Sequence, residues 1–261
     1  MPEPSPSAER HACYRPADAD GIGRLLFTRA AKLNATDDVT LGHLAEAIEA
    51  ASTDPAARAI VVAGEGRAFC VGIDLRALAT DAIPDDWFAR WDRALVRLEA
   101  LPTPTVAAVQ GPCLGGGLQV ALCCDLRVAA DDATFGLSAV THGIVPGLAT
   151  WRLERFVGAG AARELMLLGE TWDAGRGLRH GLVDRVVPLA ELDTQARRLA
   201  QRIASAPREA VRATKRLTLA AHELSLERFL ESYVDAQRRC REDPETQQNL
   251  DAYRRGRWGR G

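Results

Sequence analysis

The chain has little of what marks a secreted, membrane-bound or nucleic-acid-binding protein. Its apolar runs are far shorter than the roughly 20 residues needed to cross a bilayer. Residues 1–10, MPEPSPSAER, lack the basic start and apolar stretch of a secretory signal. The formal net charge is only −2, so no strong overall field favours nucleic acid or an anionic surface. We therefore expect neither nucleic acid nor a membrane among its partners.

The six cysteines have neither the spacing of a disulfide framework nor that of a metal site. Four of them, Cys70, Cys113, Cys123 and Cys124, lie in apolar segments, where a thiol usually behaves as a small hydrophobic group. This usage predicts reduced cysteines, no metal ligands and a cytoplasmic protein.

What is present is a regular alternation of apolar, strand-like runs with helical patterns. Strand-like runs occur at 21–28, 58–66, 105–111 and 125–130. Between them, helical spacing of apolar residues predicts a helix through Leu41, Leu44, Ala45 and Ile48, with Thr36 or Asp37 as its cap. The same spacing predicts a second helix through Phe88, Trp91, Leu95 and Leu98. This alternation predicts an α/β fold with a mainly parallel sheet and crossover helices.

Three regions follow from the same patterns. The Pro-, Ser- and Glu-rich residues 1–10 predict a short disordered lead. The alternating pattern predicts a core over 11–188. Helical patterns with few strand signals predict a helical C-terminal region over 189–261.

Two segments place glycines where a strand-like run passes into a helix-like run. They are residues 64–78, GEGRAFCVGIDLRAL, and residues 111–125, GPCLGGGLQVALCCD. A helix N-terminus exposes unpaired N–H groups, and glycine lets a ligand approach them. The phosphate-binding patterns GxxxxGK[ST] and GxGxxG with a suitably placed acid are absent. Two interpretations remain: two N–H donors for a carbonyl oxygen that gains charge, or glycines that only allow close packing.

From about residue 22 to its C-terminus, the chain resembles the crotonase (enoyl-CoA hydratase/isomerase) superfamily. Four segments carry the resemblance in the family's order: GEGRAFCVGIDL at 64–75, QGPCLGGGLQVALCCDLRVA at 110–129, TFGLSAVTHGIVPG at 134–147, and GETWDAGRGLRHGLVDRVVP at 169–188. The resemblance implies a crotonase-like ββα superhelix core with a helical C-terminal oligomerisation region. It also implies a homotrimer or a dimer of trimers.

The resemblance implies acyl-CoA thioester substrates and a shared step in which the thioester enolate is stabilised. The backbone N–H groups of Ile73 and Gly116 would form the oxyanion hole. No cofactor is implied besides the coenzyme A that the substrate carries. The residues implied to contact substrate or coenzyme A are Lys32, Leu33, Ala68, Cys70, Asp74, Leu75, Gly115, Arg254, Arg255 and Arg257.

The acids that the family's hydratases and some other branches use are missing. The matching positions hold Gln119, Ala139 and Gly147, and none of these side chains has a titratable proton near neutral pH. His142 is a candidate substitute base, because imidazole titrates near pH 7. Trp87 and Trp91 fit either the helix's core stripe or an acyl-pocket wall, and we favour the core.

Three functional hypotheses follow. The first is an enzyme that stabilises a thioester enolate for chemistry other than efficient hydration, such as isomerisation or decarboxylation. The second is an acyl-CoA-binding protein with weak or no turnover. The third is a slow enoyl-CoA hydratase that uses Gln119 and water.

Overall fold

The structure, a computed structural model, describes residues 10–256. Most of the lead predicted over 1–10 therefore lies outside the described residues, as does Arg257. The described strands are β1 (Ala12–Arg15), β2 (Ile22–Phe27), β3 (Ala59–Gly64), β4 (Thr105–Val109), β5 (Pro112–Leu114), β6 (Leu126–Ala130), β7 (Thr134–Gly136), β8 (Thr171–Asp173) and β9 (Arg185–Val187).

The described α-helices lie between and after these strands. They are α1 (Asp38–Thr53), α2 (Leu75–Ala79), α3 (Trp87–Glu99), α4 (Gly116–Cys123), α5 (Ala149–Arg152), α6 (Glu154–Val157), α7 (Ala159–Leu168), α8 (Ala174–Arg179), α9 (Leu192–Ala204), α10 (Arg208–Ala220), α11 (Leu226–Glu242) and α12 (Pro244–Arg254). Short 3₁₀ helices cover Ala30–Lys32, Ser138–His142 and Leu189–Glu191.

Six strands form the main sheet in the order β1-β2-β3-β4-β6-β9. Only the β1–β2 pair in this sheet of the described chain is antiparallel, so the predicted mainly parallel sheet is confirmed. Helices α1 and α3 make crossovers between its parallel strands. Such crossovers are needed because parallel neighbours start at the same end of the sheet.

Both faces of the main sheet are covered, which explains why its central strands are continuous apolar runs. Ile60 and Val62 of β3 point into a core shared with α1 and α3. The alternate residues, including Val61, point to the other face and pack against α9. This two-sided burial follows from the period of two along a strand.

A smaller sheet, in the order β5-β7-β8, lies next to the second glycine turn. Its strands have only three residues each. The pairing of β5 with β7 sets Cys113 opposite Phe135, and β7 sets Phe135 opposite the fully buried Trp172. This sheet therefore holds the segment before α4 against the segment that follows it.

Two ion pairs, one buried and one open to solvent, join the C-terminal helices to the sheet. Lys215 of α10 donates to the carboxylate of Asp125, which precedes β6, at 2.8 Å. The same Asp125 oxygen accepts from the Thr105 N–H at 2.7 Å. Arg58, which precedes β3, makes two bonds of 2.7 Å to the carboxylate of Glu245 on α12. We call these two contacts, Lys215 with Asp125 and Arg58 with Glu245, the joint.

The predicted helical C-terminal region is confirmed, while some details differ from the predictions. Asp37, not Thr36, caps α1 by accepting from the Thr40 N–H at 2.8 Å. Phe88 is exposed, because the core stripe of α3 begins at Trp87 instead. The short strands β1, β5, β7 and β8 were not predicted, since three or four residues carry too little periodicity. The division into regions at 188/189 stays a prediction.

Candidate active site

The two glycine turns lie side by side because the segments before them pair in register. Cys70 and Cys113 form an isolated parallel β-bridge. The Cys70 N–H donates to the Pro112 carbonyl at 3.3 Å, and the Leu114 N–H donates to the Cys70 carbonyl at 2.9 Å. Ile73 and Gly116 each lie three residues beyond this bridge. The register therefore brings the two predicted N–H donors to the same place.

A second bridge orients the N–H group of Ile73. Thr36 and Ile73 form an isolated parallel β-bridge, and its hydrogen bonds are made by the residues on either side of Ile73. The Thr36 N–H donates to the Gly72 carbonyl and the Asp74 N–H donates to the Thr36 carbonyl, both at 2.8 Å. In this parallel pattern the N–H of the middle residue points to the other side of the chain. The Ile73 N–H is thus directed away from Thr36.

Gly116 presents its N–H for a different reason. It is the first residue of α4, and the first N–H groups of a helix have no acceptor inside that helix. Gly115 before it has φ +51°, a conformation that favours glycine. A Cβ on Gly117 would lie 2.0 Å from the Cys70 carbonyl oxygen, so this glycine is needed for close approach. Close packing thus explains Gly117, while the role of the Gly116 N–H as an oxyanion donor stays a prediction.

The turns open into a cavity of about 830 Å³. Its apolar walls include Trp87 and Trp91, whose rings stack with centroids 5.3 Å apart. Both tryptophans are buried in the core and also line the cavity, so the two interpretations of them combine. Polar groups are few, and this combination suits an apolar ligand with one polar reacting centre.

The three positions at which the resemblance leads us to expect an acid, but where this chain has none, all line this cavity. Gln119 lies on α4 one turn beyond Gly116, Ala139 lies in the 3₁₀ helix, and Gly147 precedes α5. A Cβ on Gly147, whose φ is +51°, would lie 2.9 Å from Gln119 Oε1. The structure therefore brings the three positions to one cavity, and no carboxylate stands at any of them.

A carboxyl group that the sequence analysis missed does line the cavity. Asp92 of α3 lies 3.4 Å, measured from its Oδ1, from that same Cβ position on Gly147. Burial raises the pKa of Asp92, while Arg152 and the backbone N–H of Leu148 act in the opposite direction. The sequence spacing could have indicated this position, because Asp92 lies four residues after Phe88 and so on the same face of α3, and both line the cavity.

His142 lies at the cavity wall but is exposed to solvent. It ends the 3₁₀ helix that also carries Ser138 and Ala139, and Gly143 follows it in a left-handed conformation. The structure thus places the predicted base beside the cavity. Its catalytic role stays a prediction.

The residues predicted to contact coenzyme A fall into two groups. Lys32, Asp74, Leu75 and Gly115 line the cavity. Asp74 also caps α2, accepting from the N–H groups of Arg76 and Ala77, and pairs with Arg29 at 3.2 Å.

The second group lies away from the cavity wall. Ala68 is fully buried, and its carbonyl accepts from the Asn34 amide at 2.9 Å. The backbone of Cys70 is used in the bridge, its thiol donates to the Asn34 carbonyl, and burial raises its pKa to about 12. Within the described part of the chain, the cavity lining does not include Leu33, Arg254 or Arg255. Arg254 pairs instead with Asp251 at 2.8 Å.

Neither metal nor membrane features were found in the part of the chain that the structure describes. No group of three or more His, Cys, Asp or Glu side chains between residues 10 and 256 is placed to hold a metal ion. None of the helices described there combines the length and the apolar character of a membrane span.

Comparison with known proteins identifies the family. A sequence model described as enoyl-CoA hydratase/isomerase matches residues 18–258. The probable enoyl-CoA hydratase of Mycobacterium tuberculosis is 38% identical over 78% of this chain and 80% of its own length. The crotonyl-CoA hydratase of Syntrophomonas wolfei is 33% identical over 88% of this chain and 90% of its own. The chain belongs to the enoyl-CoA hydratase/isomerase family.

A solved structure agrees with this assignment. The crystal structure of an enoyl-CoA hydratase from Mycobacterium smegmatis superposes with a TM-score of 0.89. It is 30% identical in sequence, and the superposition covers 95% of this chain and 98% of that one. The predicted crotonase fold is therefore confirmed.

Proposed function

We propose that this protein binds an acyl-CoA thioester and stabilises its enolate with the N–H groups of Ile73 and Gly116. The observation that carries the proposal is the in-register pairing of Cys70 with Cys113, which sets both donors at one wall of an apolar cavity. When a thioester loses a proton or carbon dioxide from the carbon next to its carbonyl, the electron pair left behind delocalises onto the carbonyl oxygen. Preorganised N–H donors stabilise that charge without having to reorient.

The chemistry we propose is isomerisation or decarboxylation rather than efficient hydration. Hydration by a pair of acids needs proton transfer at both carbons of the double bond, and positions 119, 139 and 147 supply no carboxylate. One missing acid or base typically costs about 10²–10⁴ in rate. Decarboxylation needs mainly enolate stabilisation, and isomerisation needs one group that moves a proton between two carbons.

The coenzyme A part of the substrate is proposed to leave the cavity past Lys32 and Leu75. Both residues line the cavity and are exposed to solvent, so they lie where the cavity opens. The Lys32 ammonium suits a phosphate group as a point charge. The substrate supplies the coenzyme A, and no further cofactor is proposed.

The test is calorimetric titration with acetyl-, crotonyl- and a long-chain acyl-CoA, together with the absorbance of the enoyl thioester. Gly116→Pro removes one N–H while keeping the helix, because proline is well tolerated at the first helical position. Gly116→Ala is the matched control, because it adds a Cβ next to Trp91 but keeps the N–H. We expect Gly116→Pro to lose about 10²–10³ in rate relative to Gly116→Ala, the usual cost of one oxyanion donor.

The outcomes separate the hypotheses. No binding of any acyl-CoA would reject the proposed function, and equal rates for the two Gly116 variants would reject the oxyanion hole. Binding without any chemistry, even with other acyl-CoA classes, would favour the acyl-CoA-binding protein. That alternative draws support from Gln119, an amide where a titrating acid is expected. Slow loss of the enoyl absorbance through hydration would favour the hydratase that uses Gln119 and water.

The predicted trimer or dimer of trimers is also kept as a proposal. Helix α11 exposes Leu226, Leu230 and Val234, which lie at successive intervals of four along one face. Apolar residues at this spacing form a stripe that another surface can cover. Light scattering coupled to size-exclusion chromatography measures the mass, and a monomer at micromolar concentration would contradict the proposal.

A further inference from the structure

Resting on the proposed function, we propose that Asp92 is the general base of this site, a carboxylate supplied by helix α3 in place of those missing at positions 119, 139 and 147. It would take a proton from the carbon next to the thioester carbonyl and return it to the acyl chain. Its partner would be the side-chain amide of Gln119.

The position of Asp92 relative to the oxyanion donors supports this role. Gln119 lies three residues after Gly116 on α4, so its side chain lies about one helical turn, roughly 5 Å, from the Gly116 N–H. Asp92 Oδ1 and Gln119 Oε1 both lie within 3.4 Å of one point, the place where a Cβ on Gly147 would be. Trp91, the neighbour of Asp92, contacts Gly116 itself, with Cζ2 at 3.0 Å from that residue's Cβ position.

Gly147 is what opens this space. A Cβ there would lie 2.9 Å from Gln119 Oε1, which would have to move, and 3.4 Å from Asp92 Oδ1, at the edge of ordinary contact. The φ of +51° already favours glycine. A side chain at 147 and a freely placed Asp92 would compete for the same volume.

Two buried polar atoms near Asp92 have hydrogen-bonding capacity that a ligand could use. Gln119 Oε1 and Arg152 Nη1 are buried with no hydrogen-bond partner within the described part of the chain. Arg152 uses its other nitrogens on Glu99, at 3.0 and 2.7 Å, and reaches Asp92 only through its charge. No ion pair within 4.0 Å holds Asp92 among residues 10–256, so its carboxylate is available for proton transfer.

The groups that face Asp92 set its proton affinity. Burial disfavours the carboxylate and raises its pKa, whereas Arg152 of α5 and the Leu148 N–H favour the charged form. Glu99 partly neutralises Arg152, and Gln119 of α4 is uncharged. His142 lies at the same cavity in the 3₁₀ helix. A carboxyl group whose pKa lies above its ordinary range is a better base for carbon acids than an ordinary exposed one.

The proposed step is balanced within the protein and its substrate. The C–H bond next to the carbonyl breaks, its proton moves to an Asp92 oxygen, and its electron pair delocalises onto the carbonyl oxygen held by Ile73 and Gly116. Asp92 then returns the proton to the same carbon or, in a 3-enoyl thioester, to C4, while the double bond moves from C3=C4 to C2=C3. Return to a different carbon completes an isomerisation, and no oxidant or metal is required.

The experiment measures this step without knowledge of the natural substrate. The full-length protein is incubated with butyryl-CoA in deuterated water, and uptake of deuterium next to the carbonyl is followed by mass spectrometry. We expect exchange with the unmodified protein and a loss of about 10²–10⁴ with Asp92→Asn. The affinity for butyryl-CoA should stay the same in this variant, because asparagine has nearly the same shape.

One control variant and one variant of the competing base accompany Asp92→Asn. Asp85→Asn changes an exposed carboxylate in the loop before α3, outside the cavity-lining residues, and should exchange like the unmodified protein. His142→Ala tests the other candidate base, because exchange lost in this variant and kept in Asp92→Asn would assign the role of base to His142. Circular dichroism and the melting temperature confirm that each variant is folded.

The pH profile adds a readout that a structural role would not produce. Exchange should rise with pH through the pKa of Asp92 and then level off, because the base acts in its ionised form. That limb should lie above the range of an exposed aspartate and should be absent from the residual rate of Asp92→Asn.

Three results would overturn the inference: binding of butyryl-CoA with no exchange, wild-type exchange by Asp92→Asn, or loss of exchange with His142→Ala alone. The oxyanion hole is tested separately by Gly116→Pro against Gly116→Ala. If those two variants exchange equally while Asp92→Asn does not, the oxyanion hole fails and the base stands.

Discussion

The cavity and the joint differ in how their polar side chains are paired. In the cavity, Gln119 Oε1 and the Trp91 indole N–H have no hydrogen-bond partner among residues 10–256. In the joint, Lys215 is paired with Asp125 and Arg58 with Glu245. An unpaired buried polar group typically costs about 1–3 kcal/mol. Such a cost is tolerated where a ligand completes the bonds, and it is avoided where the task is to hold elements together.

If this contrast is correct, substitutions in the joint should change stability and leave the cavity's chemistry intact. Substitutions in the cavity should do the reverse. The largest effect is expected where a buried charge loses its partner.

Asp125→Ala should destabilise the protein by about 3–5 kcal/mol, because it leaves the Lys215 ammonium buried without a counter-charge. The side chain of Lys215 is only 6% exposed, so solvent cannot replace the lost carboxylate. Urea unfolding measures the free-energy difference. Asp235→Ala, which removes an exposed partner of Arg239, is the control and should change stability by less than about 1 kcal/mol.

The folded fraction of Asp125→Ala should bind butyryl-CoA and exchange deuterium at the unmodified rate. A loss of exchange in protein that is fully folded would contradict the division of roles between joint and cavity.

Gly147→Ala should combine a smaller loss of stability with a loss of activity. A left-handed conformation costs a residue with a Cβ about 1–2 kcal/mol, and here the Cβ also presses on Gln119. Deuterium exchange should fall because the Gln119 amide beside Asp92 has to move. Thermal unfolding and the exchange assay measure the two effects.

Gly143→Ala is the matched control for Gly147→Ala. Gly143 has φ +71°, and a Cβ there would have no neighbour within 4 Å. It should lose similar stability while keeping its exchange rate. Equal exchange in the two variants would show that the space at Gly147 is unimportant.

The smallest effect is expected for Glu245→Gln, which should destabilise the protein by about 1 kcal/mol at neutral pH, since the pair is open to solvent. The two bonds from Arg58 lower the pKa of Glu245 from 4.5 to about 2 in the folded state. Its contribution is therefore fully present above pH 4.5 and is lost as the pH falls towards 2.

Melting temperatures between pH 2 and 7 test this dependence. The difference between Glu245→Gln and the unmodified protein should shrink as the pH falls through that window. A difference that stays constant down to pH 2 would show that the carboxylate charge is not what Arg58 uses.

The main strands and the glycine turns could be predicted from local patterns. Predominantly apolar runs identified β2, β3, β4 and β6, because a strand covered on both faces needs few polar residues. The glycines were recognisable because close approach and positive φ leave few alternatives. Strands of three or four residues were missed, since they exist only through the partners they pair with.

The sequence by itself determined the alternating architecture, the family and the absence of acids at positions 119, 139 and 147. Only the tertiary structure decided that Cys70 pairs with Cys113, and that Asp92 lies beside Gln119. The physical reason is that helical periodicity places a polar residue at the edge of an apolar stripe without saying what faces it. On α3 that neighbour is a cavity wall built from α4 and the segment before α5, and only folding brings those together.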